Sequence, residues 1–166
     1  VRARVCRAGR WPGPRQGKRG RVWAWALAPT GPGLASASTD HDLRLWDSAN
    51  AVCLGVLTGH TQAIRSLAFH PQGQPQVSGS DDQTIRLWDA TTASCLATLT
   101  GHSGRVWALA FAPTGQFLAS ASTDHDVRLW DSANAVCLGV LTGHPQALPS
   151  LAFLPPGPIL VRGRYD

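Results

Sequence analysis

The hydrophobic positions of the chain fall into short runs, and the set of runs repeats. In one copy the runs are Arg105 to Pro113, Phe117 to Ser122, Asp126 to Asp131 and Ala135 to Leu141. The first and third alternate apolar and polar residues, whereas the second is apolar with small residues and the fourth is a β-branched apolar run. Turn residues separate all four runs. Each copy therefore predicts a four-stranded antiparallel meander.

Two dipeptides recur at a spacing of 42 residues: Trp46-Asp47, Trp88-Asp89 and Trp130-Asp131, and Gly59-His60, Gly101-His102 and Gly143-His144. The chain also contains a longer internal repeat, since residues 17–74 match residues 101–158 at 45 of 58 positions. A single sheet of about 40 residues cannot bury both of its faces, so successive sheets must stack on one another.

The Gly-His pair, the segments LASASTD and VSGSDD and the strand ending RLWD, at constant spacing, resemble the WD-repeat family of β-propellers over roughly residues 17–158. The resemblance implies an all-β fold, a partial WD-repeat β-propeller of four-stranded antiparallel blades with three complete blades and one partial blade. We expect a basic, disordered tail at 1–16 and repeats at 17–58, 59–100 and 101–142. The partial fourth repeat, at 143–166, is expected to hold one strand.

The blade count leaves the propeller open, because closure usually takes about 4–8 blades. The chain contains no Met and begins with Val1. We therefore expect a fragment of a larger propeller. Two alternatives stay open: a chain that self-associates through its open propeller ends, and a degenerate fragment without independent function.

Ser, His and Asp recur in every unit, and the resemblance implies that they form a hydrogen-bonded structural tetrad with Trp. The matching residues are His60, Ser78, Asp82 and Trp88, then His102, Ser120, Asp124 and Trp130, and in the first unit Ser36, Asp40 and Trp46, where Lys18 stands in place of His. A hydrolase triad needs an exposed Ser, whereas these Ser residues are expected to face a Trp indole. The run Asp40-His41-Asp42 is expected to be a turn. We predict no catalytic residue, metal site or cofactor.

The implied function is a non-enzymatic scaffold that mediates protein-protein interaction. Family members dock partners mainly on the face that carries the loops beside Gly-His. The matching candidates are Arg21, Trp23, Thr39, Arg65, Asp81, Arg105, Trp107 and Thr123. Exposed Trp and Arg are typical carriers of interface energy. The alternative for Trp23 and Trp107 is packing between blades. The partner is a protein or peptide of unknown identity.

Charge and cysteine usage add two expectations. Residues 1–21 hold eight basic residues and no acid, so the N-terminal tail could bind nucleic acid, which we keep as a less favoured alternative. No apolar run of about 18 residues is present, so no membrane partner is predicted. Cys53, Cys95 and Cys137 are interpreted as buried thiols in a reducing compartment. The protein is accordingly expected inside the cell, in the cytoplasm or nucleus.

The second unit departs from the pattern of the third. Pro75 and Gln76 stand where the third unit has Phe117 and Leu118. Pro removes a ladder N–H, and a buried Gln without a partner costs about 1–3 kcal/mol. We therefore expect the second strand of this unit to be frayed.

Overall fold

The computed structural model describes residues 20–31, 33–154 and 159–163. The N-terminal segment 1–16 and Lys18, on which the sequence placed a disordered tail and an incomplete tetrad, lie outside the described residues.

All regular structure in the described residues is β-strand. The strands are β1 Val22–Leu27, β2 Gly33–Ser38, β3 Leu43–Asp47, β4 Val52–Leu57, β5 Ile64–Phe69, β6 Gln76–Ser80, β7 Ile85–Asp89, β8 Ser94–Leu99, β9 Val106–Phe111, β10 Phe117–Ser122, β11 Val127–Asp131, β12 Val136–Leu141, β13 Ser150–Leu154 and β14 Ile159–Gly163.

The strands form three four-stranded antiparallel meanders, β1–β4, β5–β8 and β9–β12, followed by the two-stranded sheet β13–β14. This confirms the predicted fold class, a partial WD-type propeller with three complete blades. The expectation of a single strand in the fourth unit is wrong, because β14 pairs antiparallel with β13 along its whole length. Pro149 stands just before β13 and does not interrupt it.

The sheets stack around their first strands. β1 packs against β5, β5 against β9, and β9 against β13, so that the first strand of each sheet lies innermost and the fourth outermost. A register shift interrupts each four-stranded sheet near the start of its first strand and again between its third and fourth strands. Such bulges increase the local right-handed twist. They give each blade the curvature that stacking requires.

The core lies between sheets. One face of the first sheet presents small residues on its second strand and leucines on its third and fourth strands, and it packs against Ile64 and Trp88 of the second sheet. The second sheet meets Val106 and Trp130 of the third in the same way. Fully burying a Leu, Ile or Val contributes about 1.5–3 kcal/mol. Each inter-sheet layer is therefore the main source of stability for the two sheets that form it.

Small side chains on the second strands set how closely the sheets approach. The second sheet has Gly79 where the first and third have Ala37 and Ala121. A Cβ added at Gly79 would lie 2.6 Å from both Ser66 Oγ and Val106 Cγ1. Ser66 on β5 is larger than Ala24 and Ala108, which stand at the matching positions of the other two sheets. The absence of a methyl group at Gly79 on β6 makes room for it. The inter-sheet volume stays nearly constant, as close-packed interiors require.

The second strand of the middle unit is paired on both sides from Gln76 onward, and the expected fraying stays a prediction. β6 begins at Gln76, which pairs with Phe69 on one side and Trp88 on the other. The Pro75 carbonyl accepts a hydrogen bond from the His70 N–H at 3.0 Å. Pro75 lies outside the ladder, whereas the equivalent residues Gly33 and Phe117 pair with Asp47 and Asp131, so β6 is one residue shorter than its counterparts. Gln76 is buried, and its Oε1 has no partner among the described residues.

The cysteine expectation also needs correction. Cys53, Cys95 and Cys137 are free, but Cys95 is exposed and the other two are only partly buried. All three lie on outermost strands, beyond the densely packed layers between sheets. Leu57 and Leu99 at the ends of two of these strands are buried in the core, and Ala97 and Cys137 pack against it as partly buried residues.

Alanine occupies a left-handed backbone conformation in the turn before every fourth strand. Ala51, Ala93 and Ala135 have φ of 56°, 54° and 57°. In the last of these turns the Ala135 N–H donates to the Asp131 carbonyl at 2.9 Å. For an L-residue with a Cβ, this conformation costs about 1–2 kcal/mol. The turns are therefore strained at one defined residue.

Ala93→Gly should stabilise the protein by about 0.5–1 kcal/mol, because relief of the left-handed strain exceeds the entropy that a glycine loses on folding. The free energy of unfolding from urea titration measures the effect. Ala133→Gly is the control, since Ala133 is exposed in the equivalent turn and its φ is not positive. The control should be neutral or slightly destabilising, and equal shifts in the two variants would contradict the strain.

Candidate functional site

Four polar side chains are joined in a continuous chain inside the second sheet. Trp88 Nε1 donates to Ser78 Oγ at 2.8 Å, Ser78 Oγ lies 2.7 Å from His60 Nε2, and His60 Nδ1 lies 2.8 Å from Asp82 Oδ2. Ser78 is wholly buried and His60 nearly so. The structure thus brings together four residues that are 28 positions apart in the sequence at most.

The third sheet holds a second copy of this chain with nearly the same geometry. Trp130 Nε1 donates to Ser120 Oγ at 2.8 Å, and Ser120 Oγ lies 2.8 Å from His102 Nε2. His102 Nδ1 lies 2.8 Å from Asp124 Oδ2. Two copies of one geometry in two sheets favour a repeated structural element over a unique reactive site.

The first sheet repeats part of the arrangement. Trp46 Nε1 donates to Ser36 Oγ at 2.7 Å. Asp40 Oδ1 accepts from the Asp42 N–H at 3.4 Å, and Asp40 Oδ2 lies 3.8 Å from Arg44 Nη2. The Asp therefore occupies the same turn position as in the other two sheets.

The hydrogen-bonding capacity of the side chains assigns the protons. Indole N–H can only donate, so the Ser oxygen must accept from Trp and its own O–H is left to donate. That O–H points to His Nε2, which must then be an unprotonated acceptor. The remaining proton sits on Nδ1 and is donated to the Asp carboxylate. Each His is therefore neutral in this network, and each Asp is ionised.

Burial and hydrogen bonding shift the pKa values in the directions that this assignment requires. Burial lowers the pKa of His102 more than the hydrogen bond to Asp124 raises it. Burial raises the pKa of Asp124, but N–H groups of Asp126, His102 and Ser103 donate to the carboxylate and lower the pKa further than burial raises it. Hydrogen bonding to the ionised form is the cause that prevails.

Asp82 accepts more hydrogen bonds than its counterpart. Besides His60, it receives the Thr61 N–H at 3.1 Å, the Thr84 N–H at 3.0 Å and the Thr84 hydroxyl at 2.7 Å. Burial raises the pKa of Asp82, but the hydrogen bonds from His60 and Thr84 outweigh it and hold the pKa far below its usual range. In the third sheet Asp126 stands in place of Thr84 and supplies only its N–H to Asp124.

The glycine of each Gly-His pair is required for a reason other than hydrogen bonding. Gly59 and Gly101 have φ of 149° and 140°. A Cβ at Gly59 would lie 2.6 Å from Arg86 Nη1, and one at Gly101 would lie 2.8 Å from Arg128 Nη1. The positive φ is what favours glycine here, because the end of the flexible Arg side chain could move away from an added Cβ.

These networks cannot present a nucleophile. Ser78 and Ser120 have no exposed surface, and each Oγ accepts a Trp N–H. His41 and His125, in the Asp-His-Asp runs, are exposed at turn tips with φ of 69° and 72°. Within the described residues no three His, Cys, Asp or Glu side chains lie close enough together to hold a metal ion. What the networks do is pin the Gly-His loop to the tight turn after the second strand.

The candidate docking residues lie at or just before the starts of the first strands and in the turns after the second strands. Arg65 and Asp81 form a bidentate ion pair, in which Arg65 Nη2 donates to Asp81 Oδ2 at 2.6 Å and Arg65 Nε donates to Asp81 Oδ1 at 2.9 Å. The Arg65 guanidinium also stacks on the Trp23 ring, with its carbon 4.4 Å from the ring centroid. Trp23, Arg65 and Asp81 thus form one rigid cluster that links the first two sheets. We call it the Trp23 cluster.

Thr39 and Thr123 hold the equivalent positions in the first and third sheets. Their Oγ1 atoms accept the N–H of Arg21 at 3.1 Å and of Arg105 at 2.9 Å. Both Arg residues are exposed. The Thr side chains therefore fix the backbone from which the Arg side chains extend.

The two tryptophans among the candidates keep exposed surface, although the Trp23 ring also contacts Arg65 of the second sheet. Trp23 is 48% exposed and Trp107 is 39% exposed. Both line an open cavity of about 300 Å³ beside the innermost strands. Sequence reasoning missed Trp25, which lines the same cavity and is 60% exposed. The signal in the sequence was the position of Trp25 in its repeat, which matches the positions of the apolar residues Leu67 and Leu109.

An apolar face of the first sheet is also exposed. Val22 and Leu27 are 39% and 52% exposed, whereas the residues that match Val22 in the next two sheets, Ile64 and Val106, are fully buried. In those two sheets the preceding sheet covers the face. The difference in exposure therefore comes from the neighbouring sheet rather than from the residues.

The basic tail lies outside the described residues, so nucleic-acid binding stays a prediction of the sequence. The described part of the chain contains no helix that is long and apolar enough to cross a membrane.

Comparison with known proteins finds a matching family and similar proteins. A family model described as "WD domain, G-beta repeat" matches residues 12–47, 51–89 and 93–131. Lissencephaly-1 homologs are among the similar proteins: the one from Trichoplax adhaerens is 51% identical over 41 residues, and the one from Glossina morsitans morsitans is 52% identical over 40 residues. The matches cover 25% and 24% of this chain and 10% of each relative. The chain thus matches a small part of their length.

Asp82→Ala should destabilise the protein more than Asp124→Ala, because Asp82 also accepts the Thr84 hydroxyl. Each change leaves buried donors without a partner, which costs about 1–3 kcal/mol. Urea titration of both variants measures the difference. In a Thr84→Val background the two losses should become equal, and equal losses already in the parent background would contradict the unequal networks.

Stability should fall as the pH is lowered from 7. The pKa of His102 is lowered in the folded state, so below about pH 6.5 the unfolded chain takes up a proton that the folded chain does not. The lowered pKa values of Asp82 and Asp124 contribute stability above about pH 4 that is lost at more acidic pH. Thermal melts between pH 7 and 3 measure both stages. A rise in melting temperature between pH 7 and 5 would contradict the neutral-His network.

Proposed function

The chain belongs to the WD-repeat family, and on that premise we propose that it is a non-enzymatic scaffold that docks a protein or peptide partner. The docking face carries Arg21, Trp23, Arg105 and Trp107. WD repeats imply a protein-interaction scaffold, and the proposal adds which face of this chain a partner contacts.

The observation that carries the proposal is the Trp23 cluster. Arg65 is held by two hydrogen-bonding contacts to Asp81 and by the indole beneath it, so Trp23 remains 48% exposed in a fixed orientation. An exposed aromatic ring that is already ordered loses little entropy when a partner binds. Trp and Arg are also the residues that most often dominate binding energy.

The charges on this face favour an acidic partner segment. The positive charge of Arg65 is neutralised by Asp81 at 2.6 Å. Arg21 and Arg105 are exposed and extend from backbone that Thr39 and Thr123 fix. A peptide with Asp or Glu beside an apolar side chain would complement this face. The acids would meet the two guanidinium groups, and the apolar side chain would meet Trp23 or Trp107.

The proposal includes a place in a larger propeller. The matched stretch is 10% of each relative, and the faces equivalent to the exposed face of the first sheet are covered by a neighbouring blade elsewhere in this chain. We infer that another WD-repeat blade, from the same polypeptide or from a second chain, packs on Val22, Trp25 and Leu27. The free cysteines are compatible with the cytoplasm or nucleus as the site of this scaffold.

Selection of peptides from a random display library against the immobilised chain tests the docking face. Bound peptides should be rich in Asp or Glu, and their affinity, measured by calorimetry, should fall about 10- to 30-fold in Trp107→Ala and Arg105→Ala, as for hot-spot residues. Leu96→Ala is the control, because Leu96 is 58% exposed on the outermost strand β8. Peptides that bind all three variants equally would overturn the assignment of the face.

A further inference from the structure

The contacts between neighbouring sheets are of two kinds, and the two kinds alternate along the array. Where the first sheet meets the second, and where the third meets the fourth unit, a large aliphatic residue packs in one cluster with alanines. These residues are Ile64 with Ala35 and Ala37, and Leu148 with Ala108 and Ala121. Where the second sheet meets the third, the smaller Val106 packs with Val77 instead.

The second sheet differs from its neighbours at the residues that the next sheet contacts. Ser66 on β5 pairs with Gly79 on β6. The first and third sheets have alanine at all of the matching positions, which are Ala24, Ala37, Ala108 and Ala121. A Cβ added at Gly79 would lie 2.6 Å from Ser66 Oγ and from Val106 Cγ1, so Val106 lies directly against this pair. A sheet with the Ser-Gly pair is therefore followed by a sheet that begins with valine.

The fourth sheet repeats the second sheet at this place. Ser150 pairs with Gly163 as Ser66 pairs with Gly79, and Ala152 pairs with Val161 as Ala68 pairs with Val77. The residue types and the register are thus the same at all four positions, whereas the first and third sheets have alanine there. By this likeness the fourth sheet is also one that a sheet beginning with valine follows.

The two ends of the array are exposed, and they match each other. Ser150 is exposed, although its counterpart Ser66 is buried under the third sheet. At the other end Val22 is 39% exposed, although its counterpart Val106 is fully buried. The exposure of Val22 means that the fourth sheet of the same chain does not cover it. A fourth sheet from a second copy would supply the surface that Val106 already contacts within one chain.

We propose that the fourth sheet of one copy of this chain packs on the exposed face of the first sheet of a second copy, with Val22 against Ser150 as Val106 lies against Ser66. This inference rests on the proposed place in a larger propeller and names the blade that packs there. The contact joins two different surfaces, so it is head to tail. Two copies with four sheets each contribute eight, which lies within the about 4–8 blades of closed propellers. The assembly is therefore a closed dimer.

Sedimentation velocity over a concentration series tests the proposal with two variants that each block one end. Val22→Lys and Ser150→Arg place a charge at the contact, so each variant alone should be monomeric, whereas the wild-type chain should be a dimer. An equimolar mixture should recover a dimer, because the first variant keeps its fourth sheet and the second keeps its first sheet. Both residues are exposed in the single chain, so the variants should fold, which circular dichroism checks.

Val52→Lys and Ser94→Arg are the matched controls, because they place the same charges at exposed positions of the outermost strands β4 and β8. Both controls should form the dimer as the wild type does, and loss of the dimer in either would overturn the proposal. A wild-type chain that stays monomeric, or a mixture of folded variants that stays monomeric, would also overturn it.

Two further results separate this proposal from its alternatives. If Ser150→Arg alone still forms the dimer while Val22→Lys does not, the first sheet contacts something other than the fourth sheet, and the proposal is wrong. A monomeric wild-type chain that still binds acidic peptides through Arg105 and Trp107 would refute the head-to-tail contact alone and would leave the docking face in place.

Discussion

The structure depends on the packing of one four-stranded sheet against the next. Each sheet has two apolar faces, and one repeat of 42 residues cannot cover both. Leu43, Leu45 and Leu57 of the first sheet meet Ile64 and Trp88 of the second, and the same layer forms again between the second and third sheets. Where a layer has no partner sheet, as at Val22 and Leu27, the same kinds of residue are exposed. Stability in this architecture therefore belongs to pairs of neighbouring sheets rather than to single repeats.

The buried Trp, Ser, His and Asp chains convert this packing into an ordered surface. Trp and Ser lie within the inter-sheet layer, and Asp lies at the surface end, where it also accepts the N–H of Thr61 or Ser103. The chain of hydrogen bonds thus runs from the core to the Gly-His loop and the turn after the second strand, next to the docking candidates. Neutral His is essential to this role, since a second proton on the ring would leave the Ser hydroxyl without its acceptor. The residue types of a hydrolase triad are here used for loop placement.

Three regions of surface result from the same architecture, and each follows a different rule. The face with Trp23 and Trp107 is ordered by ion pairing and by Thr hydroxyl acceptors. The exposed face of the first sheet is apolar because every blade face is apolar. The exposed valines of β4 and β12 follow neither rule, because β8 has Ser94 and Thr98 at the equivalent positions. That contrast between sheets of nearly equal backbone is what separates a surface preference from a folding requirement.

Periodicity and spacing in the sequence were enough to determine the repeats and the strand order within each sheet, because hydrophobic pattern and turn residues act locally and recur three times. The tetrad residues followed from the resemblance to the WD-repeat family. The tertiary structure decided the rest. The pairing of Arg65 with Asp81 and Trp23 joins residues of two different sheets, and no local pattern encodes such a contact. The extra strand β14 has no repeat motif, and β6 remains paired despite Pro75 because the proline stands just before the ladder. Burial of Cys95, likewise, depends on whether a neighbouring sheet reaches the outermost strand, which only the stacking of sheets determines.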